Sequence, residues 1–110
     1  MKLPNASRAI IDERKIQQYL LSRSHPIGRF KAAVFAAAGF EVEDSLEFVR
    51  QLRTIAVGGE AELGRKVEFG QKYLILGILA GKTGASIEVV TVWIVGPKGD
   101  APQLVTVYPK

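Results

Sequence analysis

The feature that most constrains this chain is a change of hydrophobic period at Gly58-Gly59. Before that pair, apolar residues recur at helical spacing. After it, short apolar segments are bounded by glycine, which marks strands joined by tight turns. In the first half, Ile10, Ile11, Ile16, Tyr19 and Leu20 fit a helix over residues 12 to 21, with Asp12 placed to cap its start. Ser24-His25-Pro26 interrupts that pattern. Proline is tolerated at the first helical position, so a second helix is expected from Pro26 to Gly39. A third runs from Asp44 or Ser45 to Val57 on Leu46, Phe48, Val49, Leu52, Ile55 and Ala56, and the glycine pair ends it.

Four strands follow, over residues 61 to 69, 71 to 79, 86 to 95 and 103 to 108. The loops Gly81-Lys82-Thr83-Gly84 and Gly96-Pro97-Lys98-Gly99-Asp100 are short enough to demand antiparallel pairing. The predicted fold is therefore α+β: about three N-terminal helices packed on one face of a four-stranded antiparallel β-meander. Residues 1 to 110 read as one domain, helical to about residue 58 and a meander from about 60 to 109. The third strand is apolar on both sides and so should be central, with Ile87, Val89, Thr91, Trp93 and Val95 on one side and Glu88, Val90, Val92 and Ile94 on the other. If the aliphatic side meets the helices, Thr91 and Trp93 look outward, beside Thr106 and Tyr108. Glu88 reads as a residue at a strand end near solvent.

Composition narrows the chemistry. With 47% apolar residues the 110-residue chain can bury a core. The absence of cysteine removes disulfides, thiolate catalysis and cysteine-based metal sites, and a single histidine argues against a protein-held transition metal. No cofactor is implied. No apolar segment follows Met1-Lys2-Leu3-Pro4-Asn5, and the run from Tyr73 to Ala80 falls far short of the roughly 20 residues that span a bilayer. The expectation is a cytoplasmic chain without a membrane partner. GxxxxGK[ST], GxGxxG, HExxH and GxSxG are all absent, and the phosphate-loop fragment at Gly81 to Gly84 joins two strands, so it reads as a hairpin turn.

The densest polar signal lies elsewhere. From Arg14 through Phe40 the chain has no acidic residue, while Arg14, Lys15, Arg23, Arg29 and Lys31 are cationic. Such a run suits a polyanion, or simply a solvated helical face. Lys31 is more specific. On a helix from Pro26, the residues Ile27, Phe30, Val34, Phe35 and Ala38 form an apolar stripe, and Lys31 falls inside it. Either its methylenes pack on the core while the ammonium snorkels to water, or a cation is held between helix and sheet to bind phosphate. Arg29, nearly opposite, reads as a surface charge. His25, in the turn before this helix, is either a structural hydrogen-bonding residue or the chain's one evident general acid or base.

Two stretches together carry a resemblance. His25-Pro26-Ile27-Gly28-Arg29-Phe30-Lys31-Ala32 with Phe35, and Thr91-Val92-Trp93-Ile94-Val95 with Leu104-Val105-Thr106-Val107-Tyr108-Pro109, resemble a bacterial domain family of unassigned function. More distantly, helices followed by a four-stranded meander look like the small ribonuclease toxins related to barnase, EndoU, colicin D and RelE. That resemblance implies a metal-independent endoribonuclease acting on RNA, paired with a small cognate antitoxin-like protein. It implies His25 as acid or base, Lys31 as phosphate clamp and Thr106 or Tyr108 as phosphate hydrogen-bond donor. Arg23, Arg29, Thr91 and Trp93 would contact RNA, with Trp93 stacking a base. The rival reading is a non-catalytic interaction module that uses the Thr91/Trp93 face or an exposed strand edge.

Overall fold

Asp12 begins the first helix as its side chain predicts. Its Oδ1 accepts a hydrogen bond from the Arg14 amide at 2.9 Å, and a turn of α-helix, α1 (Glu13–Lys15), continues as a π-helical segment over Ile16–Leu20. The computed structural model describes residues 1–21 and 29–110. Within them α2 spans Arg29–Ala37 and α3 spans Ser45–Gly58. The expected start of α2 at Pro26 lies outside the described residues. The strands are β1 (Ala61–Val67), β2 (Gly70–Ala80), β3 (Ser86–Val95) and β4 (Gln103–Pro109), antiparallel throughout and in the spatial order β1-β2-β3-β4. The fold is thus the α+β arrangement expected, three helices packed with a four-stranded meander.

Helix α2 ends in a Schellman motif, with Phe40 N donating to Phe35 O at 3.0 Å and Gly39 N to Ala36 O at 2.9 Å. Gly39 supplies the required positive φ of 101°. The β2–β3 hairpin docks on this helix end, where Thr83 Oγ1 donates to Ala38 O at 2.9 Å. Gly81 passes so close that an added Cβ would lie 1.6 Å from Ala38 O. Lys82 turns away to bind Asp44 at 3.0 Å. Thus the phosphate-loop fragment is a hairpin turn that caps a helix. Glu41 and Asp44 form a reciprocal capping box ahead of α3. Gln51 of α3 then ties down the end of β2, donating to Ala80 O and accepting from Ala80 N, each at 2.8 Å.

The core lies between the helices and one face of the sheet. Phe48 of α3 sits edge-on to Phe35 and to Phe40, with centroids 5.2 Å apart in each pair. Ile16, Leu21, Leu52, Ile75, Leu79, Val89, Trp93 and Val107 are all fully buried around them. This overturns the expected orientation of β3. Thr91 and Trp93 face the helices, and the aliphatic side faces out. Burial of this half-polar side works because its polar atoms satisfy one another: Trp93 Nε1 donates to Thr91 Oγ1 at 2.9 Å, and Thr91 Oγ1 donates to Ile75 O at 2.9 Å. The indole then contributes the largest apolar surface available to this core.

The register also separates Thr106 and Tyr108 from Trp93. Val92 pairs with Thr106 and Val90 with Tyr108, whereas Thr91 pairs with Val107. A bulge makes the adjustment: Trp93 pairs with Leu104, so Val105 is left without a cross-strand partner. Just before the bulge, Ile10 forms a parallel bridge to Gln103 and covers that end of the β4 edge. Glu88 is exposed near the start of β3, 3.9 Å from Lys110, as a strand-end carboxylate should be.

Candidate functional site

Lys31 projects from the first turns of α2, beside the buried Ala32 and one turn before the buried Phe35. The buried stripe follows Ala32, Phe35 and Ala38, and Val34, expected within it, is exposed instead. Lys31 is therefore at the border of the apolar face, half-buried, with its Nζ donating to Thr106 Oγ1 of β4 at 3.1 Å. The two residues are 75 positions apart in sequence. Burial of the ammonium lowers the Lys31 pKa, and repulsion from Lys15 lowers it further. Lys15 stands at the end of α1, where it lines a surface cleft of about 410 Å³ together with Asp12, Arg14, Ile10 and the β4 residues Gln103 and Leu104, with the Arg14 guanidinium 3.6 Å from the Asp12 carboxylate. Three cations of the acid-free run, Arg14, Lys15 and Lys31, thus flank the first half of β4.

The chemistry of the pair follows from donor counting. A threonine hydroxyl has one proton to give. Since Oγ1 accepts from Lys31, that proton is oriented away from the ammonium and can be offered to an incoming acceptor. Ammonium and hydroxyl together present donors suited to two oxygens of one phosphate.

The remaining candidates are distributed unevenly. Tyr108, two residues beyond Thr106 and about 7 Å along the strand, is partly exposed and lines a separate cleft with Glu60, Glu62, Leu74, Leu76 and Val90. Thr91 and Trp93 are fully buried on the opposite face, so the expected base-stacking surface is corrected: neither side chain reaches solvent. Arg29 opens α2. Arg23 and His25 lie outside the described residues. A larger cleft of about 500 Å³, lined by Pro4, Leu63, Tyr73 and Pro97 among others, holds none of the predicted residues. Sequence reasoning left Lys15 as one charge of a run; the signal that it belongs with Lys31 is the acid-free stretch, which does not by itself show which cations converge. Among the described residues, no three His, Cys, Asp or Glu side chains cluster as a metal site, and no helix is long and apolar enough to cross a membrane.

Fold and site together define a small α+β domain with a cationic patch against the edge strand of an antiparallel meander. The chain belongs to the domain of unknown function DUF6883, matching it over residues 2–110. No curated protein matches the sequence. Among solved structures, it is similar to a chain of the "Contact-dependent growth inhibition toxin - immunity protein complex from Klebsiella pneumoniae 342", with TM-score 0.68 and 13% identity over 92% of this chain and 99% of that one. At that identity the likeness is one of fold.

Proposed function

We propose that this domain is a toxin-class protein that binds RNA at the Lys31–Thr106 pair and cleaves it without a metal ion. The observation that carries the reading is the 3.1 Å hydrogen bond joining a half-buried cation to a hydroxyl from the far end of the chain, both named from sequence as phosphate contacts. Similarity in fold to a chain of a toxin–immunity complex supports it, and supports a small cognate protein as partner.

The 2′-hydroxyl gives its proton to a base as its oxygen bonds to phosphorus. The P–O5′ bond breaks, and an acid protonates the departing oxygen, leaving a 2′,3′-cyclic phosphate and a 5′-hydroxyl. Lys31 and the Thr106 hydroxyl meet the non-bridging oxygens as charge builds there. His25 is assigned the proton transfers, Tyr108 a flanking hydrogen bond to phosphate, and Arg23 and Arg29 contacts to neighbouring phosphates.

The test is cleavage of labelled RNA in EDTA by wild type, Lys31→Ala, Thr106→Val and His25→Ala, with analysis of the ends. Cyclic phosphate ends are expected. Loss of Lys31 should slow the reaction on the order of 10²–10³-fold, as removal of one charge-stabilising donor does elsewhere. Absence of cleavage by the wild type, or cleavage indifferent to all three substitutions in folded proteins, overturns the assignment.

A further inference from the structure

The Lys31–Thr106 pair borders a cleft on the outward side of the sheet. Cross-strand register sets Thr106, Val92, Leu74 and Glu62 side by side across the four strands, with Tyr108, Val90 and Leu76 as the neighbouring row. One cleft of about 320 Å³ crosses these rows, with Leu74, Leu76 and Val90 along it, Tyr108 at its β4 end and Glu60 and Glu62 at its β1 end. That volume suits a single small ring system. Leu76 is 55% exposed and Tyr108 38%, so both can be covered by a bound ring. Glu62 is three strand spacings, about 14 Å, from Thr106. A nucleotide matches that span: with its phosphate at Lys31 and Thr106, the pairing edge of its base comes within reach of the Glu62 side chain.

Hydrogen-bond chemistry at the far end selects the base. Glu60 is ion-paired with the Met1 ammonium and stands 4.0 Å from Lys2, whereas Glu62, among the described residues, forms no ion pair or hydrogen bond. Its carboxylate offers two acceptor oxygens and no proton. Guanine presents two adjacent donors, the ring N1–H and the exocyclic amino group, and meets both oxygens at once. Adenine and cytosine set an acceptor nitrogen beside their amino group, and uracil flanks its one N–H with carbonyls, so each brings an acceptor against the carboxylate. Lys72, two residues before Leu74 on the same side, offsets the charge of Glu62 towards an RNA backbone. The Tyr108 ring and the aliphatic residues give the base a surface to pack on, while the Tyr108 hydroxyl stays directed to phosphate. We infer that this cleft is a base subsite selective for guanine, taking the nucleotide whose 3′-phosphate sits at Lys31 and Thr106. Its place in RNA cleavage rests on the proposed function; its preference for guanine rests on Glu62.

The probes are guanosine, inosine and adenosine 3′-monophosphates and inorganic phosphate, each titrated into the labelled, full-length protein and followed by chemical shifts. The guanosine nucleotide should shift Glu62, Leu74, Leu76, Val90 and Tyr108 and bind about tenfold more tightly than the adenosine one, with inosine, which lacks the amino group, between them. Glu62→Gln should abolish this order, and Tyr108→Leu should weaken all three nucleotides by about fivefold or more without changing it. Both positions are exposed or partly so, and circular dichroism confirms that the variants fold. The inference is overturned if the nucleotides bind alike, if none binds, if the guanine preference survives Glu62→Gln, or if shifts miss the cleft. Nucleotides that bind alike while inorganic phosphate still shifts Lys31 and Thr106 would remove the base subsite and leave the phosphate site standing. A guanine preference that depends on Glu62, with no shift at Lys31 or Thr106 from any probe, would support the guanine cleft and remove the phosphate site.

Discussion

On the helix side of the sheet, Thr91 and Trp93 are sealed from solvent; on the other side, Leu76 and Ile78, more apolar than threonine by any scale, stand in water. Hydropathy alone orders these faces wrongly. What decides is volume together with internal satisfaction of polar atoms. The indole is fully buried in the core on the helix side of the sheet, and its N–H is met by Thr91, whose own proton goes to Ile75 O. Such a side loses nothing by leaving water and gains the burial of the largest side chain in the protein. Among the described residues, no helix covers Leu76 and Ile78 on the aliphatic side.

The sharpest way to break this comparison is to truncate matched positions on the two faces. Trp93→Ala should cost about 3–5 kcal/mol in denaturant unfolding, whereas Leu76→Ser should stay within about 0.5 kcal/mol of wild type. Equal losses would mean that the outward face is part of the folding core.

Thr91→Val isolates the polar half of the explanation. It keeps shape but leaves the buried indole N–H without its partner, at a cost of about 1–3 kcal/mol. A neutral result would show that the hydroxyl relay is incidental.

Lys31 provides a smaller effect with a diagnostic sign. Its pKa is lowered in the folded protein, so the unfolded chain holds that proton to higher pH, and stability rises as pH climbs from the lowered value towards the ordinary lysine value. Lys31→Met should therefore be neutral or stabilising in thermal melts near neutral pH and should remove this alkaline rise, while slowing RNA cleavage as Lys31→Ala does. A clearly destabilising substitution would make Lys31 a structural residue.

The smallest effect is on the solvent side of α3. Hydrogen bonds from Arg50 and then Gln51 hold the Glu47 carboxyl down to about 2. The stability they confer is present above the ordinary glutamate value and fades as pH falls towards about 2. Arg50→Ala should raise the Glu47 value, read by carbon-detected titration, and leave Trp93 shifts unchanged.

Most of the fold was legible because its signals are local. The period change at Gly58-Gly59 separates helices from strands, Asp12 caps where its side chain predicts, and Gly81 to Gly84 turns a hairpin. What was not legible is which side of a doubly apolar strand meets the helices, since alternation fixes only that two sides exist. The bulge at Val105 is equally silent, and it is what puts Thr106 and Tyr108 on the side away from Trp93. At the candidate site, Lys31 and Thr106 were named separately from sequence, and their contact depends on how α2 lies against β4, a tertiary fact. The Leu76–Ile78 face went unrecognised as a surface because its pattern is that of an ordinary buried strand.

The most direct test of the account is to place RNA on the molecule. The measurement is a titration of the isotopically labelled protein with a short RNA carrying a 2′-deoxy sugar at the scissile position, which cannot be cleaved, read at the side chains of Lys31, Thr106 and Ile78. The account predicts shifts at Lys31 and Thr106, with the Lys31 pKa rising as the phosphate compensates its buried charge, and none at Ile78. Shifts confined to Ile78, or none at Lys31 at saturating RNA, would contradict it.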